Sequence, residues 1–411
     1  MSRGRLMGHL SVLPDLYSRS LSTSALAKVT TAASVAAFGL VGRETKSVRQ
    51  TAYASYSEAV IALAHAMNAA EERVRNETLL ACVLMVVVES MMARDRSPNQ
   101  QWAAHVSGAG QLLRQRGRTA ISHDPIARRL WAVVRGFLSK NSVRHLAADE
   151  TFAIDLPTNG FEDAGPPPPE ALLGGLTVAV TSTRDRGLAI LESGTFDMLP
   201  ALIGECRYFD GALCSWVLEL PEAYQYVSIP SDESSVPPTY EHLYSDSHLQ
   251  RLWNSYRVAR ITVNALIYRA ATSPTTILPN ASELAATSFQ NMQTLATEIM
   301  DSIPSNILTP ASPRSQIQLP SADVASEIAL AFYCLWPLYI ARGVVTLPPA
   351  AKARGLVMMA QIVDKYAVQN GQALVDVATV DDDRPLWCSP WQEEWVERLW
   401  EWAFLYGCGA V

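Results

Sequence analysis

Apolar positions recur along most of this chain at intervals of three and four residues, the spacing of one face of an α-helix. Trp102, Val106, Ala109 and Leu113 follow it in one segment, and Trp253, Val258, Ile261, Ala265 and Tyr268 in another. Stretches that alternate apolar and polar residues between turn dipeptides, as half-buried strands do, are scarce. The pattern predicts an all-α fold, a large helical domain of roughly twelve helices joined by long Pro-rich loops.

One run departs from the one-faced pattern. "LLACVLMVVVESMM" (79–92) is apolar all round, yet it is only 14 residues long and holds Glu89. That combination suits a buried core helix better than a bilayer crossing. "ALAKVTTAASVAAFGLVG" (25–42) carries Lys28 among weakly apolar alanines. It reads as an ordinary helix packing small residues against a partner, although residues 1–50 also share the Arg-, Ser- and Ala-rich, acid-poor composition of transit peptides. No membrane span is predicted. Asn76 and Ser321 stand where helix caps are expected, ahead of the 79–92 run and of "ADVASEIALAFYCLW".

Prolines and polar residues cluster at 156–170, 228–240, 271–280 and 303–320, and these stretches are predicted to be loops. The tetraproline at 166–169 reads as a stiff extended connector. The chain then divides into an N-terminal segment (1–20) expected to lie loose, a first helical half (21–155), a Pro-rich loop and middle helical section (156–240), and a second helical half (241–411).

"WAAHVSGAGQLLRQRG" (102–117) poses a sharper choice, between a helix that reads an anion and one that packs and stops. Trp102, His105, Val106, Ala109, Leu112 and Leu113 share one side, while Gly108 and Gly110 permit close backbone approach. Arg114 and Arg116 fall in the last turn, where cations oppose the negative helix end, and Gly117 supplies a left-handed cap. The arginines thus have a sufficient local reason to be there, and His105 reads as a hydrogen-bonded core residue.

Composition narrows the partners. The 411 residues are 49% hydrophobic and 18% charged with a net charge of −7, enough apolar content for a sizeable core and a poor match for polyphosphate. One block runs against this: residues 112–146 hold eight Arg or Lys (Arg114, Arg116, Arg118, Arg128, Arg129, Arg135, Lys140, Arg144) and one acid, Asp124, a local surplus of +7. Without interleaved aromatics or a groove-reading motif it reads as a solvated helix face, or a partner for acidic loops such as 381–383. The six cysteines (Cys82, Cys206, Cys214, Cys334, Cys388, Cys408) are scattered, none at the short spacing at which thiolates share zinc. They read as buried thiols, and no metal or cofactor is expected.

Candidate chemistry is sparse. Phosphate loop, nucleophile elbow, H-E-x-x-H and dinucleotide fingerprint are all missing from the sequence. His242 and His248 stand six apart, not a spacing that faces one metal from one helix. Glu89 is the most unusual residue, because a carboxylate on an apolar helix must meet a cation, a cap or water, and Arg114 or Arg116 of the next helix is its expected partner. Were the chain an enzyme, Glu89, His105 and Tyr244 would be its acid or base candidates. The tryptophans at 387–402 read as a packed terminal helix.

"ETLLACVLMVVVESMM" followed by "QWAAHVSGAGQLLRQRG" resembles the signature of the fungal-specific transcription factor domain, the helical regulatory region of many fungal binuclear zinc cluster regulators. The matching residues are Glu89, Trp102, His105, Gly108, Ala109, Arg116 and Gly117. Further segments follow in the family's order: "LCSWVLELPEAYQYV" (213–227), "LWNSYRVARITVNALIYR" (252–269) with Trp253, Asn254, Arg257 and Arg260, and "LWPLYIARG" (335–343) with Trp336 and Pro337. The resemblance implies an all-helical fold, residence in the nucleus and control of transcription, often of a secondary-metabolite or nutrient-use gene set. It also brings a departure, since the family's closely spaced zinc-binding cysteines do not occur in this sequence and the resemblance begins almost at Met1. The expectation is a regulator that makes no direct sequence-specific DNA contact and works through other transcription factors or as a homodimer, with a small-molecule effector as a further candidate partner. The alternative is a biosynthetic enzyme, an isomerase or cyclase, using an apolar pocket in the same helical scaffold.

Overall fold

The computed structural model of the chain describes residues 12–38, 46–92, 100–131, 133–134, 169–232, 239–273, 280–308, 322–366 and 375. The all-α expectation holds, and the described helices fall into two compact units, one ending before Pro169 and the other beginning there.

The first unit contains α1 (Leu13–Arg19), α2 (Ala25–Phe38), α3 (Lys46–Asn68), α4 (Ala70–Arg73), α5 (Asn76–Met92), α6 (Gln100–His123) and α7 (125–131). Its centre is α5. Residues 79–88 are all 4% exposed or less, because α1, α2, α3 and α6 pack around this helix. A helix apolar on every side has no solvent face to offer, so it must be surrounded. The small residues of α2 do the same on one side, with Val29 and Ala32 fully buried against α3 and α5. Among the described residues no helix is long and apolar enough to cross a membrane.

Gly108 and Gly117 behave differently. A Cβ on Gly108 would come 3.2 Å from the Met67 methyl, the far end of a flexible side chain reaching over from α3. Gly117 has φ 76° and ψ 160°, a conformation that L side chains avoid. It breaks α6 rather than ending it, and the chain returns to helix through His123. Asp124 then caps α7, its Oδ1 accepting from the Ile126 and Ala127 amides at 2.9 and 3.2 Å.

The second unit contains α8 (Pro169–Ser193), α9 (Leu199–Leu218), a hairpin of β1 (Val227–Asp232) and β2 (Thr239–Leu243), α10 (Ser247–Thr272), α11 (Ala281–Asp301), α12 (Ser305–Leu308), α13 (Ala322–Arg342) and α14 (Pro349–Tyr366). Here α10 is central and packs against α8, α9, α11 and α13. Asp246 caps it by accepting from the Leu249 amide at 2.9 Å. The middle helices α8 and α9 thus share a unit with the second helical half.

Besides Gly117, whose expected cap is a break, the structure departs from the sequence reading in two places. The N-terminal segment is not loose throughout, since α1 begins at Leu13 and buries Leu16. The stretch 228–240 is not all loop: its ends pair as an antiparallel hairpin with Val227 opposite Leu243. Pro230, which argued against a strand, sits beside an irregularity in the register on a two-stranded ribbon, where every strand is an edge and its missing donor is tolerated. In α13, Pro337 lies in the interior of the helix without ending it.

The backbone at Gly117 makes a specific prediction. Gly117→Ala should lower the unfolding free energy by about 1–3 kcal/mol through backbone strain alone, since a Cβ there meets nothing within 4 Å. Gly108→Ala should change it by less than about 1 kcal/mol, because the Met67 methyl can move aside. Urea denaturation of the two variants checks the contrast.

Candidate functional site

Polar side chains that the sequence singled out are gathered into two clusters, one in each unit. In the first, Glu89 on α5 is 5% exposed. The Tyr56 hydroxyl of α3 donates to its Oε1, and His105 Nε2 of α6 lies 3.3 Å from the same oxygen. Burial, reinforced by the hydrogen bond to Glu89, pushes the Tyr56 phenol above its ordinary range. One buried carboxylate thus ties three helices together.

Of the two expected partners of Glu89, Arg114 and Arg116, the second does not pair with it. Arg116 turns instead to the start of α5, where Nη1 donates to Asn76 Oδ1 at 2.5 Å while Asn76 Nδ2 donates to Asp124 Oδ2 at 2.7 Å. Asn76 is therefore the link between α5, the end of α6 and the start of α7. Burial lowers the Arg116 pKa, against the pull of Asp124 and Glu77. Trp102 lies on α6, but its side chain is outside the described residues.

The second cluster runs along α10. Gln250, Asn254, Arg257, Arg260 and Asn264 follow one another at three- and four-residue intervals, a polar stripe on a helix that is buried on most sides. Gln250 Nε2 donates to the Ser302 carbonyl at 2.7 Å, and Asn254 Nδ2 to the Ser302 hydroxyl at 2.9 Å. Arg257 is 0% exposed, and its guanidinium meets four polar side chains. Nε donates to Glu298 at 3.1 Å, Nη1 to the Tyr244 hydroxyl at 2.8 Å and to Asn254 Oδ1 at 3.0 Å, and Nη2 lies 3.3 Å from His242 Nδ1. The Tyr226 and Trp253 rings flank it, with centroids 5.1 and 5.5 Å from Cζ.

One turn on, Arg260 grips Asp210 of α9 with both ends of its fork, at 2.8 and 3.1 Å. Asn264 Nδ2 donates to the same carboxylate at 2.9 Å. Trp253 fixes the chain before the hairpin by donating from its indole nitrogen to the Tyr224 carbonyl at 2.8 Å. In α13, Trp336 is buried with its ring 5.7 Å from that of Tyr339.

Electrostatics set the protonation of this cluster. Burial first, and then the Arg257 cation, holds the His242 imidazole down at about 4, so it is neutral and free to accept from Arg257. Burial pushes Tyr244 up to about 12 even though Arg257 pulls the other way. Tyr244 is therefore a neutral phenol over the physiological range. His248 belongs to a separate contact, with Nε2 3.4 Å from Glu170, which also accepts from the Tyr224 hydroxyl at 2.7 Å.

Of the three acid or base candidates, Glu89 and His105 meet in the first unit, whereas Tyr244 belongs to the second. The hydroxyl and imidazole around Glu89 are occupied in holding it, and Tyr244 is occupied by Arg257. Cys82 and Cys334 are buried thiols pushed up to about 12 by burial, which suppresses the reactive thiolate. Among the described residues no group of His, Cys, Asp and Glu is placed to hold a metal ion. Cys388, Cys408, the 381–383 acids and the tryptophans of 387–402 lie outside the described residues.

The fold and these clusters define an all-helical scaffold whose buried polar side chains join helices to one another. Residues 16–151 match the family model of the fungal specific transcription factor domain. That description points to a transcription regulator. The matched segment contains Glu89, Trp102, His105, Gly108, Arg116 and Gly117; the resembling segments at 213–227, 252–269 and 335–343 lie beyond it. No curated protein and no solved structure matches the chain.

Two measurements check the α10 cluster. Arg257→Ala should destabilise the second unit by about 3–5 kcal/mol in urea, since it strands Glu298 and leaves Tyr244, Asn254 and His242 short of a partner. Arg257→Lys should recover only part of that loss, because an ammonium cannot reproduce the planar fork. For His242, the imidazole binds a proton more tightly in the unfolded chain, near pH 6.5, than in the fold, near 4. Its contribution to stability is therefore complete above pH 6.5 and declines as the pH falls toward 4, by a total on the order of 3 kcal/mol. His242→Gln should flatten the pH dependence of urea unfolding across that window.

Proposed function

We propose that the chain is the helical regulatory portion of a transcription regulator that acts in the nucleus and receives its sequence-specific DNA contact from elsewhere. The observation that carries this reading is the match of residues 16–151 to the fungal specific transcription factor domain. The net charge of −7 and scattered cysteines support the second half of it, because a polyanion is bound by a surplus of cations and a zinc cluster is built from closely spaced thiolates. The partners are other transcription factors or a second copy of the chain. A small-molecule effector and a secondary-metabolite or nutrient-use gene set complete the proposal.

The buried clusters support a regulatory role through rigidity. A module recruited by other proteins must present fixed surfaces, and helices cross-linked by satisfied buried polar groups do so.

Tethering provides the test. Fused to a heterologous DNA-binding domain, the chain should change transcription of a reporter carrying that domain's site. The purified chain alone should give no tight, sequence-specific gel shift at physiological salt. An inert fusion together with intact transcripts and one accumulated intermediate in a deletion strain would contradict the proposal and favour the biosynthetic enzyme.

A further inference from the structure

The first strand of the hairpin has no buried side. Val227, Ser228, Ile229, Pro230 and Ser231 are all exposed, whereas β2, with which they pair, buries His242 and packs against α11. A strand that covers a core buries every second residue, so β1 covers nothing. Among the described residues no other strand pairs with its outer edge, and its extended backbone lies open there. The end of the strand is irregular. Pro230 opposes Tyr240 and Asp232 opposes Thr239, so Ser231 is the extra residue, without an opposite number in the ladder. Its hydroxyl meets that of Thr239 at 2.9 Å, in an exposed contact that water can replace.

Carboxylates follow this hydroxyl directly. Asp232 and Glu233 are the next two residues, and no Lys or Arg occurs between Arg207 and Arg251, so the acids of the hairpin have no cation near them along the chain. An exposed serine on extended backbone, followed by acids, has the properties that an acid-directed protein kinase selects. Such an enzyme binds its acceptor segment extended and reads the charges beside the hydroxyl with basic side chains of its own. Ser228 is equally exposed but is followed by Ile229 and Pro230, so the same strand carries a hydroxyl that lacks the charge pattern.

We infer that Ser231 is a phosphorylation site for an acid-directed serine kinase. The γ-phosphoryl group of ATP passes to the Ser231 oxygen, the hydroxyl proton goes to the base of the kinase, and ADP leaves. The product adds about −1.5 to −2 of charge beside Asp232 and Glu233, at the end of a hairpin whose β2 supplies His242 to the Arg257 cluster. The inference rests on the hairpin alone and stands whether or not the chain regulates transcription.

Incubation of the full folded chain with casein kinase 2, magnesium and ATP, followed by peptide mass spectrometry, tests it. Phosphate should appear at Ser231 and not at Ser228. The folded chain should be modified about as fast as a free peptide of residues 224–240, because the strand is already extended and exposed. Ser231→Ala should abolish the label. Asp232→Asn combined with Glu233→Gln should slow it at least about tenfold, and Ser234→Glu, which lengthens the acid run, should speed it. Far-ultraviolet circular dichroism establishes that each variant is folded, and the free peptide carrying the same change reports the charge preference independently of folding. Chain isolated from its own cells with phosphatases inhibited should carry the same phosphate. Absence of label from the folded chain overturns the inference, whether or not the peptide is modified. So does a label at Ser228, Ser234 or Ser235 in place of Ser231, a rate indifferent to the two acids, or chain from cells that carries no phosphate at Ser231.

Discussion

A guanidinium with no exposure to solvent is the constraint around which the second unit is arranged. Taken out of water, Arg257 must have its donors satisfied by the protein, since an unpaired buried charge costs several kcal/mol. Its partners come from three directions: Glu298 from α11, Tyr244 and His242 from the hairpin and the turn after it, and Asn254 from its own helix. Their positions fix where α11 and the hairpin stand relative to α10. Arg260 repeats the logic toward α9 through Asp210, and the amides of Gln250 and Asn254 extend it to Ser302. Apolar burial drives these helices together, while the polar stripe specifies the arrangement they adopt.

The first unit uses the same device with the opposite charge. Glu89 projects from a helix that is otherwise apolar on every side, and Tyr56 and His105 hold it from α3 and α6. A carboxylate held in this way braces its neighbours and has little freedom left for acid–base chemistry. The segment containing it matches the family model of the fungal specific transcription factor domain.

The helices were legible in the sequence because their signal is local. The all-round apolar run 79–92 announces a surrounded helix and the periodicity of 252–269 announces a helix, whereas Gly117, expected as a cap, is a break within α6. The polar residues of α10 were legible only in part. Trp253, Asn254, Arg257 and Arg260 stood out through a family resemblance, but nothing in the spacing said that Asp210, Glu298 and Ser302 would complete the network, since each is 41 to 50 residues from its partner. The signal that could have found it is the run of polar residues at helical intervals on one side of a helix whose other positions are apolar. Glu89 shows the same limit: its need for a partner was evident, but proximity along the chain favoured Arg114 or Arg116, whereas packing brought Tyr56 from an earlier helix. The hairpin was missed because Pro230 counts against a strand until the ribbon is known to have only edges.

Native-state hydrogen exchange followed by mass spectrometry or NMR tests most directly whether the α10 stripe holds the second unit together. The amides from Asn254 to Asn264 should exchange only through unfolding of the whole unit, with the same denaturant dependence as global unfolding. Exchange of those amides through a local opening, while α11 and α9 stay protected, would show that the stripe decorates the fold rather than organising it.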